Sequence, residues 1–155
     1  MKDSKSNYKF DWVLINELAI GKAPKNSSDL QLIKSKGIIS ILSLCSVSEA
    51  KPPDELDNMF IAKRVVIPDH KYERELTLNE INNVLDILSE LLNNGPVLVH
   101  CVAAVERSPL ICMGWLIRNR DLSPQEALDY LMQVHPGTSP LSININLLNS
   151  ISKNL

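Results

Sequence analysis

Cys101 and Arg107 are the two residues of this chain whose types and spacing most directly imply chemistry. They bracket Val102-Ala103-Ala104-Val105-Glu106; His100 precedes the cysteine and Ser108 follows the arginine. The apolar run Val97-Leu98-Val99 leads in, and Pro109 opens a long apolar stretch with helical spacing. The segment reads as a strand, a tight loop and a helix start, with a thiol at one end of the loop and a guanidinium at the other. A helix N-terminus presents unpaired N–H groups and the positive end of the helix dipole. Successive loop amides add a concave anion nest, and arginine supplies a planar fork that matches two phosphate oxygens. The same positive field favours the thiolate form of a cysteine. A thiolate beneath a bound phosphate is a nucleophile aimed at phosphorus. Without that context, the same residues are a buried cysteine at a strand end and an arginine with no ligand.

Cleaving a phosphate ester also needs an acid, because the departing oxygen must be protonated. Val65-Val66-Ile67-Pro68-Asp69-His70 reads as a strand running into a turn, and Asp69 stands thirty-two residues before Cys101. Taken alone, Pro68-Asp69 is ordinary turn chemistry; with the loop downstream, Asp69 is the candidate acid.

The arrangement His100-Cys101-x5-Arg107-Ser108 resembles the phosphate-binding loop of the protein tyrosine phosphatase superfamily. The place of Asp69 resembles the general-acid loop of its small branch, the atypical dual-specificity phosphatases. The likeness extends over Trp12 to Gly21, Asp29 to Leu44 and Ser123 to Pro140. It implies a phosphatase-type α/β domain that hydrolyses phosphomonoesters, with no cofactor and no metal. Cys101 would be the nucleophile and Asp69 the acid. Arg107 and the loop Val102, Ala103, Ala104, Val105 and Glu106 would bind the phosphate. Ser108 would hydrogen-bond the sulfur, and His100 would orient the loop. Three residues depart from the family pattern: Ala104 where glycine is usual, Glu106 where glycine or a small polar residue is common, and Leu141 where asparagine often follows proline. Ala104 would tighten the loop if the position needs a positive φ. Glu106 brings negative charge to an anion site, on the rim.

The surrounding pattern supplies the elements that must hold these residues. Val13 to Gly21 reads as two short strands. Ser27 or Ser28 can cap a helix over Asp29 to Lys36 that Gly37 stops. Ile38 to Cys45 is a buried strand, residues 46–58 a loop or short helix, and Phe60 to Ile67 the next strand. Thr77-x-x-Glu80 and Ser123-x-x-Glu126 are capping boxes. The first opens a helix whose apolar residues keep helical spacing up to Gly95. The second, with Pro124 in its first turn, opens a helix to about Val134. Ser108 to Arg118 is a buried helix and Ser142 to Ile151 a last short one. Strands alternating with helices predict an α/β domain with a mainly parallel central sheet of four to five strands flanked by helices. Ligands in such sheets bind beyond the carboxyl ends of the strands, where both Cys101 and Asp69 fall.

Composition narrows the classes. The 155 residues predict a flexible tail over 1–8 and one catalytic domain over 9–155. With 45% apolar and 22% charged residues and a net charge of −2, the chain has neither a nucleic-acid nor a membrane-surface footprint. Met1 to Phe10 lacks the apolar core of a signal peptide. Three cysteines fit a reducing cytoplasm, and no Cys or His pair has metal-ligand spacing. The expectation is a cytoplasmic monomer acting on a phosphorylated partner.

Superfamily members that take inositol lipids often carry basic residues in the loop interior, and its lack of Lys or Arg here argues against a polyanionic headgroup. Without the recognition segments of the large tyrosine-specific phosphatases, the resemblance implies a shallow pocket open to phosphoserine, phosphothreonine and phosphotyrosine. Phosphorylated glucan, nucleotide and RNA 5′ ends stay open, as does a phosphate-reading module without turnover. Cys45 closes Ile41-Leu42-Ser43-Leu44-Cys45, which resembles the strand end where tensin-type lipid phosphatases hold a resolving cysteine. It is therefore a candidate redox partner of Cys101; otherwise it is a small buried hydrophobe.

Overall fold

The computed structural model describes residues 6–154. Of the expected tail, residues 1–5 lie outside the described residues. Ser6 donates from Oγ to Asp29 at 2.6 Å, and the Tyr8 hydroxyl donates to the Lys22 carbonyl at 2.7 Å.

Five strands form one sheet: β1 (Phe10–Leu14), β2 (Leu18–Gly21), β3 (Ser40–Ser43), β4 (Ile61–Arg64) and β5 (Val97–His100), in the order β1-β2-β5-β3-β4. Only β1 runs antiparallel, as an edge strand against β2. Its start lies three residues before the predicted one. There Phe10 and Trp12 are half-buried and pack on one face beside polar Asp11, an alternation that a search for continuous apolar runs passes over.

Alternation also splits the core in two. Leu18, Ile20, Leu42, Val97 and Val99 face a large cluster with α3 (Leu78–Leu92), α4 (Arg107–Arg120) and α5 (Pro124–Val134). Ala19, Ile41 and Leu98, on the other face, meet a smaller cluster with α1 (Ser27–Ser35) and α2 (Leu56–Met59). The result is the predicted α/β layering, with α4 buried from Arg107 to Ile117. A last short helix, α6 (Ser142–Leu147), runs into a 3₁₀ turn over Leu148–Ser150 rather than continuing to Ile151. Among the described residues no helix is long and apolar enough to cross a membrane.

Local signals set most helix ends. Both capping boxes form, Thr77 with Glu80 and Ser123 with Glu126. The cap of α1 is Asn26 and not Ser27 or Ser28; its side chain accepts from Asp29 N at 2.9 Å. Three capping-type residues stand in a row there, and the first of them takes the role. Gly37, at φ +97°, ends α1 as predicted. Gly95, at φ +129°, has no room for a side chain, because a Cβ would stand 2.8 Å from Ile39 Cγ1.

Strand β3 is shorter than the predicted Ile38–Cys45. The N–H groups of Ile39 and Ser40 both converge on the Pro96 carbonyl, so the regular ladder begins at Ser40. Parallel register then aligns the strand ends: Gly21 and Ser43 pair with His100, and Ser43 with Arg64. The segments after β3, β4 and β5 therefore leave the sheet at one edge. That alignment brings Cys45, the Asp69 segment and Cys101 into one neighbourhood.

Candidate active site

His100 is the hinge between strand and loop. The residue is 3% exposed. Nδ1 donates to the Cys101 carbonyl at 2.8 Å, and Nε2 accepts from the Ser43 hydroxyl at 2.6 Å. This fixes one neutral tautomer. Burial lowers its pKa to about 4, the Arg64 and Arg107 charges acting in the same sense and the Cys101 carbonyl opposing.

Beyond Cys101 the loop carbonyls are taken from outside. Val102 O accepts from Ala23 N at 3.2 Å, Ala104 O from His135 Nε2 at 2.7 Å and Val105 O from Ser139 N at 2.8 Å. Among the described residues, none of the N–H groups of residues 102–106 donates a hydrogen bond, which leaves these amides free for an anion. The turn requires φ +60° at Ala104, the left-handed region, which a glycine would enter without strain. Of the three positions that depart from the family pattern, Ala104 is the one that needs a positive φ.

Arg107 opens α4 and its side chain is 5% exposed. Nη1 donates to Ile67 O at 3.1 Å and Leu44 O at 3.4 Å. The fork also meets Glu49, Nη2 to Oε1 at 2.9 Å and Nη1 to Oε2 at 3.3 Å. Glu49 in turn accepts from Ser46 N at 2.7 Å and the Tyr72 hydroxyl at 3.0 Å. Burial pushes the Glu49 carboxyl up, but the hydrogen bonds from Arg107, Ser46 and Tyr72 outweigh it and hold the group down at about 2. Asp69 Oδ2 lies 3.7 Å from Arg107 Nη2, and Asp69 Oδ1 accepts from Lys71 N at 2.9 Å.

Cys101, Arg107, Asp69, Glu49 and Val105 share one cleft of about 360 Å³. A larger cleft of about 520 Å³, bounded by Tyr8, Lys22 and Asp29, holds none of the reactive set. Chemistry, not size, selects the smaller one. Glu106 does not stand free on the rim: its carboxylate accepts from His70 N at 3.1 Å and pairs with His70 Nδ1. Asp69, His70 and Glu106 bring ligand-type atoms within 4.8 Å of one another, a closeness that chain spacing did not show, and those of His70 and Glu106 are engaged in mutual hydrogen bonds. Ser108 Oγ is buried without a hydrogen bond among the described residues. Cys45 follows the Ser43–His100 pair at the same sheet edge as Cys101, and both thiols are free and buried. Burial raises the Cys45 pKa against the pull of Arg64 and Arg107, with Cys101 adding to the rise.

Glu49, Tyr72, Ser43 and His135 are the functional neighbours that sequence reasoning missed. One signal was present: Ser46-x-x-Glu49 has capping-box spacing, and Glu49 N does donate to Ser46 Oγ at 3.2 Å. It marks the turn but not the arginine that the carboxylate also reaches.

The family model "Dual specificity phosphatase, catalytic domain" matches residues 20–153. Dual specificity protein phosphatase 2 of Homo sapiens is 30% identical over 116 residues, covering 74% of this chain and 35% of that protein. Dual specificity protein phosphatase 5 of Homo sapiens is 46% identical over 46 residues, 30% of this chain and 12% of that protein. The chain thus spans about a third of the length of the first relative. Among solved structures, Tk-PTP in its active form superposes with a TM-score of 0.80 at 19% identity, over 94% of this chain and 97% of that one. A mouse putative dual specificity phosphatase complexed with zinc tungstate gives 0.77 at 19% identity, over 98% and 91%. These two likenesses are of fold. The family match, spanning both Asp69 and the Cys101–Arg107 loop, makes the chain a member of the dual specificity phosphatase catalytic-domain family.

Proposed function

We propose that this chain is a cysteine-dependent phosphatase that hydrolyses phosphomonoesters, foremost those of phosphoproteins, through a cysteinyl-phosphate. The observation that carries this is the convergence of Cys101, Arg107 and Asp69 on one cleft. The loop floor of that cleft has its carbonyls tied from outside.

Cys101 Sγ attacks phosphorus while the bond to the ester oxygen breaks. Asp69 delivers a proton to that oxygen. Arg107 and the loop amides hold the equatorial oxygens as charge shifts; fixed donors of this kind need no rearrangement at the moment of reaction. Water then attacks the cysteinyl-phosphate. Asp69 takes its proton, and sulfur leaves as thiolate. The buried Ser108 hydroxyl, a donor with no other hydrogen bond among the described residues, suits stabilising that leaving sulfur. His100, held neutral, orients the Cys101 carbonyl through its Nδ1–H and relays no proton in the reaction.

The rim supports a phosphorylated side chain over a multiply charged headgroup. Val102 and Val105 are 41% and 38% exposed, and among the described residues the cleft is lined by one Lys, Lys71, besides Arg107. Turnover of p-nitrophenyl phosphate by wild type but not by Cys101→Ser, which should still bind vanadate, is the expected result. Wild type that binds vanadate without turnover would instead identify a phosphate-reading module.

A further inference from the structure

Glu106 stands at the N-cap of α4 but makes no capping hydrogen bond to its own helix. Its carboxylate crosses 36 residues of chain to His70, accepting from the backbone N at 3.1 Å and from Nδ1 of the ring. His70 is the residue after Asp69. On the other side of Asp69, the Ile67 carbonyl accepts from Arg107 Nη1 at 3.1 Å. Two adjacent residues of the phosphate loop thus grip the segment on both sides of the acid.

Elsewhere the segment is held by the buried side chains of Ile67 and Leu76, by the Tyr72 hydroxyl on Glu49 at 3.0 Å and by Arg74 on Glu80 at 2.9 Å. Between Val65 and Leu78 it forms no regular element. A second cleft of about 180 Å³, lined by Pro68, Asp69, His70, Tyr72, Leu141 and Ile143, also borders the segment. A segment without regular structure, bordered by open clefts, takes its local position from such discrete ties. We infer that Glu106 and His70 form a latch that positions Asp69 over the phosphate loop, Glu106 acting through His70 rather than as an anion-repelling charge. Both are positioning residues, and the inference rests on Asp69 being the general acid.

A displaced acid loses its effect mainly where the leaving group needs full protonation. Turnover of aryl phosphates of increasing leaving-group pKa should be measured for wild type, His70→Ala, Glu106→Ala, Glu106→Gln, the double alanine variant and Asp69→Asn. Amide exchange of residues 66–76 should be followed in each. Each alanine variant should lose about tenfold in kcat with the poorest leaving group, short of the ~10²–10⁴ that a general acid supplies, and much less with activated esters. The double variant should be no worse than either single one, and exchange of the segment should rise in all three. Glu106→Gln should fall between, because its amide oxygen still accepts from His70 N–H.

Losses that multiply in the double variant, an equal loss across leaving groups, or unchanged exchange would overturn the latch. Should wild type and Asp69→Asn show the same leaving-group dependence, the acid assignment fails instead, and the exchange data still decide whether the two residues hold the loop.

Discussion

Replacing Glu49 by alanine should destabilise the domain by about 2–3 kcal/mol and disable the site, although Glu49 is not a reacting group. Removing one partner of a buried ion pair costs about 3–5 kcal/mol, because the other charge is stranded. Here Arg107 is 5% exposed, but Glu49 is 22% exposed and Arg107 keeps two carbonyl acceptors, so the low end applies. A second route gives a similar figure. The Glu49 carboxyl sits at about 2 against an ordinary 4.5. At about 1.4 kcal/mol per pKa unit this is about 3.5 kcal/mol, which solvent screening of its exposed part trims toward about 2–3. For a domain of this size the loss corresponds to a Tm lower by about 5–10 °C.

The sign with pH follows from the depressed pKa. The stabilisation is complete above the unfolded value near 4.5 and is lost as pH falls toward 2. Urea titrations of wild type and Glu49→Ala from pH 7 to pH 3 should therefore show a gap that is full at pH 7 and narrows below pH 4.5. Vanadate affinity should fall at pH 7, because Arg107 is no longer held. A Tm within 2 °C of wild type, or a gap that stays constant with pH, would refute the assignment of Glu49 as the residue that braces Arg107.

Three further outcomes are expected. His100 is held neutral with a pKa of about 4 against an ordinary 6.5, so its contribution, about 3.5 kcal/mol, is full above pH 6.5 and lost as pH falls through 4; an NMR titration placing its pKa above 6 would contradict this. Ala104→Gly relieves about 1–2 kcal/mol of left-handed strain but loses a buried methyl and frees the unfolded chain, so stability should change by less than about 1 kcal/mol, whereas Ala104→Val, β-branched at φ +60°, should lose more than about 2 kcal/mol by urea denaturation. Cys45 should trap oxidised Cys101 as a reversible disulfide under peroxide, which requires Cα atoms within about 7 Å; peptide mapping that finds no such link, or activity that thiol reductants fail to restore, would leave Cys45 a buried hydrophobe.

What could be read from the sequence divides by the range of the interactions. The capping boxes at Thr77 and Ser123 are legible because donor and acceptor are three residues apart. The strand, loop and helix around Cys101 are legible because period and breaker residues are local. The level strand ends follow from parallel pairing, so Asp69 and Cys101 could be placed at one edge. Ala104 could be flagged as a departure, though only the backbone shows that its site needs φ +60°. Glu49 and His135 were not legible, since Glu49 meets Arg107 across 58 residues and His135 reaches Ala104 across 31. Glu106 was read as a rim charge because its partner lies 36 residues upstream. Such pairings are set by tertiary packing and leave no periodic trace.

The claim at the centre of this account is that Cys101 becomes covalently phosphorylated. Wild-type protein mixed with p-nitrophenyl phosphate and quenched in acid during the first turnover should yield a phosphate adduct on the peptide carrying Cys101, and Cys101→Ser should yield none. Turnover without that adduct, or an adduct on any other residue, would contradict the account.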